Sequence, residues 1–73
     1  MSSVEFNPRE LVAKMGVTAM TAVNLAANGW LWTPATLYSA AQILRTNRHP
    51  RLAKRLHDLG ARWSVLHPEV GAL

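Results

Sequence analysis

The feature that most constrains this chain is a long uncharged stretch, since residues 15–44 contain no acidic or basic side chain. A helix that crosses a membrane needs about 20 consecutive, mainly apolar residues. Asn24, the Asn28-Gly29 pair and Pro34 interrupt this stretch with polar and helix-breaking residues. We therefore expect no membrane span.

The rest of the composition describes a small basic protein. The chain has 73 residues, a net charge of +4 and no cysteine, which fits one small domain without a disulfide framework or a thiolate zinc site. The beginning, MSSVEFNPRE, has acidic residues and no basic segment followed by an apolar one, so we expect no signal peptide. A cytoplasmic location is the expectation that follows.

Capping signals predict the first two helices. Asn7 followed by Pro8 is typical of a helix start, with Glu10 completing a capping box and with Phe6 and Leu11 at the hydrophobic-staple positions. This helix should cover residues 8–15 and stop at Gly16. A second helix, over residues 19–27, would be capped by Thr18 and ended by Asn28-Gly29.

Two further helices are predicted after the tryptophans. Thr33-Pro34 repeats the cap-then-proline signal, and a helix over 34–46 would bury Leu37, Ala40, Ala41 and Leu44 on one face. After a break at residues 47–50, an apolar stripe predicts a last helix, which Gly60 should weaken or end. The stripe consists of Leu52, Leu56, Leu59, Trp63 and Leu66. The expected fold is therefore all-α: a single domain over 1–73, a bundle of three to four short helices with frayed ends at about 1–5 and 68–73.

The stretch ELVAKMGVTAMTAVNLAANGWL carries a motif. Gly16-Val17, Thr18, Thr21 and Gly29 resemble the helix-turn-helix of MerR-type and phage-excisionase winged-helix domains, over roughly residues 9–45. The resemblance implies two helices that cross around a tight turn, with a vestigial wing at Trp30–Trp32. It also implies a DNA-binding excisionase or repressor, in which Thr18, Thr21 and Asn24 read bases while Arg9, Lys14 and the C-terminal cations hold phosphates.

The second helix departs from that family because it has no charged residue. Phosphate contacts dominate the affinity for DNA and need lysine or arginine. In the helix-turn-helix geometry Ala22 and Leu25 would face inward, and an outward face would form an apolar patch of the kind found at protein contacts. The outward residues would be Ala19, Met20, Val23, Asn24 and Ala27. The alternative is a core helix that is buried on most sides.

Positive charge is concentrated near the C-terminal end. The segment Arg45–Arg62 contains six basic residues and one acid, Asp58, and it could bind phosphates or an acidic protein surface. The alternative is a solvated helix face, but six basic residues against one acid exceed an ordinary solvated face, so a binding role is favoured. Because residues 51–66 are basic and amphipathic, a helix lying on a membrane surface is a third possibility.

Catalytic patterns are missing from the sequence. His49, His57 and His67 have no metal-binding spacing, the four acids are scattered, and there is no glycine-rich phosphate loop. We therefore expect no enzymatic activity, metal or cofactor. For Trp63 a core position is favoured, whereas Trp30 could lie in the core or at an interface.

In size, charge and lack of cysteine, the whole chain is similar to small transcription inhibitors and antitermination factors of Xanthomonas phages. That resemblance implies a monomer in the bacterial host cytoplasm that binds host RNA polymerase near the N-terminal region of β′. It further implies inhibition of σ-dependent initiation and promotion of antitermination. The residues predicted to bind the partner are Met20, Val23, Ala27, Trp30, Arg48, Arg51, Lys54 and Arg55.

Overall fold

Four helices with short connections make up the fold in the computed structural model, which describes residues 6–68. They are α1 (Pro8–Met15), α2 (Val17–Ala27), α3 (Pro34–Thr46) and α4 (Pro50–Leu66). Residues 6–68 contain no strand, which confirms the all-α prediction. The predicted frayed ends lie outside the described residues, apart from Pro68.

The predicted wing at Trp30–Trp32 is wrong. The amide of Trp30 donates to the carbonyl of Ala27 at 2.8 Å, so the chain turns directly after α2. Trp32 is buried, while Trp30 and Leu31 are exposed. A wing needs a paired strand to satisfy its backbone groups, and the described chain offers no strand as a partner.

Helix α1 begins and ends where the capping signals predict. The amide of Glu10 donates to Oδ1 of Asn7 at 3.2 Å, and Pro8 occupies the first helical turn. Gly16 follows with φ +110°, a conformation that side chains disfavour. Phe6 and Leu11 both pack against the core.

Helix α2 begins two residues earlier than predicted, at Val17. Gly16 is its N-cap residue, and the amide of Met20 donates to the carbonyl of Gly16 at 3.1 Å. The predicted Thr18 cap is therefore wrong, because one glycine separates α1 from α2. The end is as predicted: Asn28 and Gly29 have φ of 47° and 82°.

The predicted faces of α2 are also wrong in part. Its buried side carries residues at i, i+3, i+4 and i+8, namely Ala19, Ala22, Val23 and Ala27, whereas Leu25 is 65% exposed. The reason is that α2 packs more extensively on α3 than on α1. Its small alanines let α3 approach, and this contact sets the rotation of α2 about its axis.

The core lies mainly between α3 and α4, the most extensively packed pair. The predicted α3 face is buried through Leu37, Ala40, Ala41 and Leu44. From the α4 stripe, Leu56, Leu59 and Trp63 are buried, Leu52 is partly buried, and Leu66 is half exposed. Trp63 thus lies in the core as predicted.

Gly60 does not end α4, because the helix continues to Leu66. This glycine is buried against α3: a Cβ placed on it would lie 3.2 Å from Cβ of Leu37 and 3.3 Å from the carbonyl oxygen of Pro34. Those distances are shorter than ordinary van der Waals contact. Gly60 therefore allows the close approach of α3 and α4.

Candidate protein-binding surface

Two residues of the predicted binding site lie on the buried face of α2. Val23 is fully buried and Ala27 is 5% exposed, so neither side chain forms an outward patch. Met20 is partly buried against the core. These three apolar side chains contribute to packing, as expected for a helix face that contacts α3.

A different set of α2 side chains faces outward. Val17 and Leu25 are the large exposed apolar residues of this helix, and Thr18, Thr21 and Asn24 are exposed beside them. Four of them, Val17, Thr18, Thr21 and Leu25, border a shallow groove of about 330 Å³ together with Ile43 of α3 and Asn47, the residue that follows α3. The exposed face of α2 therefore has mixed apolar and hydroxyl character, with no charged side chain from this helix.

The connection after α2 adds a second exposed apolar site. Trp30 is 79% exposed and Leu31 is 77% exposed. Tryptophans at this exposure are typical anchors of protein interfaces. Among the apolar residues of the predicted binding set, Trp30 is thus the one that is largely exposed.

The basic side chains are all on the surface. Arg48, Arg51, Lys54 and Arg55, which were predicted to bind the partner, are exposed. Lys54 pairs with Asp58 across one turn at 3.6 Å, a surface contact of small energy. Arg48 lies in the α3–α4 connection with φ 67°.

Two helices bring part of this charge together in what we call the α1/α4 groove. It is an open depression of about 450 Å³ between α1 and α4. Three cations and one acid surround an apolar floor. The lining residues are Leu11, Lys14, Met15, Arg55, Asp58, Leu59 and Arg62.

The spacing of the lining residues explains this groove. Arg55, Leu59 and Arg62 follow one another at about one turn along α4, and Lys14 and Met15 both lie about one turn after Leu11 on α1. Leu59 is buried and belongs to the core, whereas the three cations are exposed. The groove therefore combines an apolar floor with charged side chains that are exposed at its edges.

The groove unites residues that the sequence assigned to different roles. Lys14 was predicted to hold DNA phosphates and Arg55 to bind a protein, yet they line the same depression. Arg62 was recognised only as a member of the basic segment. The floor residues Leu11, Met15 and Leu59 were missed, although their helical spacing with the cations was visible in the sequence.

Arg9, the other cation of α1, has an aromatic neighbour. Its guanidinium carbon lies 4.4 Å from the centroid of the Trp32 ring, within the range of a cation–π contact. Arg62 has a longer contact of this kind, 5.8 Å from the Phe6 ring. Each of the helices α1 and α4 therefore has one cation close to an aromatic ring.

Other kinds of site have no support within residues 6–68. The structure contains no group of three or more histidine, aspartate or glutamate side chains placed to hold a metal ion in this range. None of the described helices is long and apolar enough to cross a bilayer. The apolar stripe of α4 faces the core through Leu56, Leu59 and Trp63.

Comparisons with known proteins give no family. No family model, curated protein or solved structure matches the chain. The surfaces described above are therefore the basis for assigning a function.

Proposed function

We propose that this protein is a small regulator of transcription that acts by binding another protein, with host RNA polymerase as the partner. The proposed action follows the resemblance to small phage factors: contact with the N-terminal region of β′, inhibition of σ-dependent initiation, and promotion of antitermination. The proposed location is the bacterial host cytoplasm.

One observation carries the preference for a protein partner. The exposed side of α2, which would enter DNA in a helix-turn-helix protein, presents Val17 and Leu25 and no cation. Val17 and Leu25 border one groove with Ile43, and adjoining exposed apolar side chains are typical of protein contacts, while DNA affinity depends on cations at the contact. The identity of the partner rests on the likeness in size, charge and lack of cysteine.

The direct test is capture of purified Xanthomonas RNA polymerase, as core enzyme and as σ holoenzyme, by the tagged protein. We expect binding to both and to an isolated β′ N-terminal fragment. Run-off transcription should show reduced σ-dependent initiation, and a template with a terminator should show increased read-through. If the tagged protein captures neither the core enzyme nor the σ holoenzyme, the proposal is ruled out.

Surface variants make the test specific. Leu25→Glu and Trp30→Ala change side chains that are 65% and 79% exposed, so both proteins should fold and bind more weakly. Val65→Glu is the matched control, since Val65 is 79% exposed near the end of α4. Equal weakening by all three variants would contradict a contact through α2 and Trp30.

A second candidate is a DNA-binding excisionase or repressor. The observation in its favour is that Thr18, Thr21 and Asn24 are all exposed on α2, where hydroxyl and amide groups can contact base edges. Mobility-shift titration with genomic DNA fragments at two salt concentrations tests it. A preferred site and improved binding by Leu25→Arg, which adds a cation to this face, would favour this function.

A further inference from the structure

We infer that the α1/α4 groove binds an acidic amphipathic helix of the partner protein. This inference rests on the proposed function, because it adds a second surface for the protein partner to the contact through α2 and Trp30. It assigns the acidic side of the contact to the partner and the basic side to Lys14, Arg55 and Arg62. The apolar stripe of the bound helix would cover Leu11, Met15 and Leu59.

The floor of the groove argues for a protein occupant. Leu11 and Met15 are partly buried and still form part of the open surface of the depression. Aliphatic side chains bind the apolar face of a helix through area removed from water. They make no hydrogen bonds to phosphate, and the groove lining contains no aromatic ring on which a base could stack.

The walls argue for negative charge on that occupant. Lys14 lies on the α1 side, while Arg55 and Arg62 lie two turns apart on the α4 side. The carboxylate of Asp58 lies 3.6 Å from Lys54, so its charge is partly offset by a cation outside the lining. Carboxylates placed on both edges of an apolar helical stripe would meet these three cations, which gives both affinity and orientation.

The shape of the groove sets the form of the occupant. Two helical stripes, 11–15 on α1 and 55–62 on α4, run along its sides. A helix laid between two helices is the arrangement found where amphipathic helices bind to grooves. The groove is open to solvent, so such a helix can enter it.

The probe for the experiment is a synthetic peptide of about five helical turns. It has one leucine stripe with glutamates on both edges and carries a fluorophore for anisotropy measurements. One control peptide has glutamine in place of every glutamate, and another has the same composition in a shuffled order that destroys the stripe. A random-sequence DNA duplex is titrated in parallel.

We expect the acidic amphipathic peptide to bind, and both control peptides to bind at least about tenfold more weakly. Arg55→Gln, Arg62→Gln and Met15→Gln should each raise its dissociation constant by roughly threefold to tenfold. Arg45→Gln is the matched control, because it removes the same charge from an exposed site on α3. It should change the constant by less than about twofold, and circular dichroism should show all four variants folded.

Three results would overturn the inference. The first is no binding of the acidic peptide. The second is equal weakening by Arg45→Gln and Arg55→Gln, which would mean attraction by overall charge. The third is that the protein binds the DNA duplex more tightly than the acidic peptide and that Met15→Gln leaves the dissociation constant for the duplex unchanged. This result would assign the groove to nucleic acid.

Capture of RNA polymerase with the same variants separates the two proposals. If the wild-type protein and Arg55→Gln capture the enzyme equally, the inference about the groove fails and the proposed function stands. If the peptide binds as expected and the enzyme is not captured, the proposed function fails and the groove is a site for a different acidic protein.

Discussion

The guanidinium of Arg9 lies over the ring of Trp32, 4.4 Å from its centroid. Arg9 is an exposed residue of α1, whereas Trp32 is a buried residue of the connection between α2 and α3. The contact therefore ties the first helix to a segment more than 20 residues further along the chain.

Removing this contact gives the first prediction. Arg9→Ala should lower the free energy of unfolding by about 0.5–1 kcal/mol, and Arg9→Lys, which keeps a cation, should lower it less. Urea unfolding followed by circular dichroism measures both. The control is Arg45→Ala, because Arg45 is exposed and bonds to Gln42 on its own helix. Equal losses for Arg9→Ala and Arg45→Ala would show that the aromatic contact contributes nothing.

The second prediction concerns the rotation of α2. Val23→Arg should abolish cooperative unfolding, since it places an unpaired charge at a fully buried position. Leu25→Arg, two residues away at a 65% exposed position, should change the free energy of unfolding by less than about 0.5 kcal/mol. If the Val23→Arg protein is stable and the Leu25→Arg protein is unfolded, the side of α2 that carries Leu25 is the buried one.

The third prediction concerns the approach of α3 and α4 at Gly60. In an open helix, Gly→Ala stabilises by about 1 kcal/mol. Here the added methyl would lie 3.1 Å from the Tyr38 ring, 3.2 Å from Leu37 Cβ and 3.3 Å from the Pro34 carbonyl. Overpacking costs about 1–3 kcal/mol, so Gly60→Ala should be destabilising by roughly 1 kcal/mol overall.

Thermal unfolding of Gly60→Ala and Gly60→Val checks this expectation. The larger side chain should be clearly worse, because it must displace the backbone of α3. A Gly60→Ala protein that melts above the wild type would mean that the helices can separate slightly at no cost.

The fourth prediction concerns the start of α3. Oγ1 of Thr36 accepts a hydrogen bond from the Thr33 amide at 3.1 Å, and Thr36 is buried. Thr36→Val keeps the shape and removes the acceptor, which should cost about 1–2 kcal/mol. Thr46→Val is the control, since Thr46 is exposed and its hydroxyl bonds to the Gln42 carbonyl. Comparable losses in the two variants, measured by urea unfolding, would contradict a capping role for Thr36.

Local signals predicted the ends of most helices because capping depends on neighbours in the chain. Asn7 before Pro8 and Thr33 before Pro34 mark the starts of α1 and α3 as observed. The start of α2 was missed, since Gly16 both follows α1 and precedes α2. A threonine two residues later offered a plausible cap, and sequence alone did not separate the two choices.

The rotation of α2 could not be predicted because its sequence is apolar on nearly every side. Alanines occur at 19, 22, 26 and 27, and they fit either face. The contact with α3 decides between them, and that contact joins residues distant in the chain. The helix-turn-helix pattern placed Ala22 correctly and Leu25 wrongly for this reason.

Only part of the α1/α4 groove could be predicted from the sequence. The cations of α4 stood out as a basic segment, and their exposure follows from the apolar stripe on the opposite side of the helix. The partnership of Arg55 with Lys14 depends on α1 docking beside α4. No local pattern specifies that docking, so the groove appeared only in the folded chain.

The short α1 gives the groove a further property. This helix has eight residues and joins α2 through Gly16 alone, and it shares little contact with α4. A molecule bound in the groove would contact α1 and α4 at once and would hold these two helices together. Binding there should therefore slow amide hydrogen exchange in α1, because opening that helix would require releasing the bound molecule.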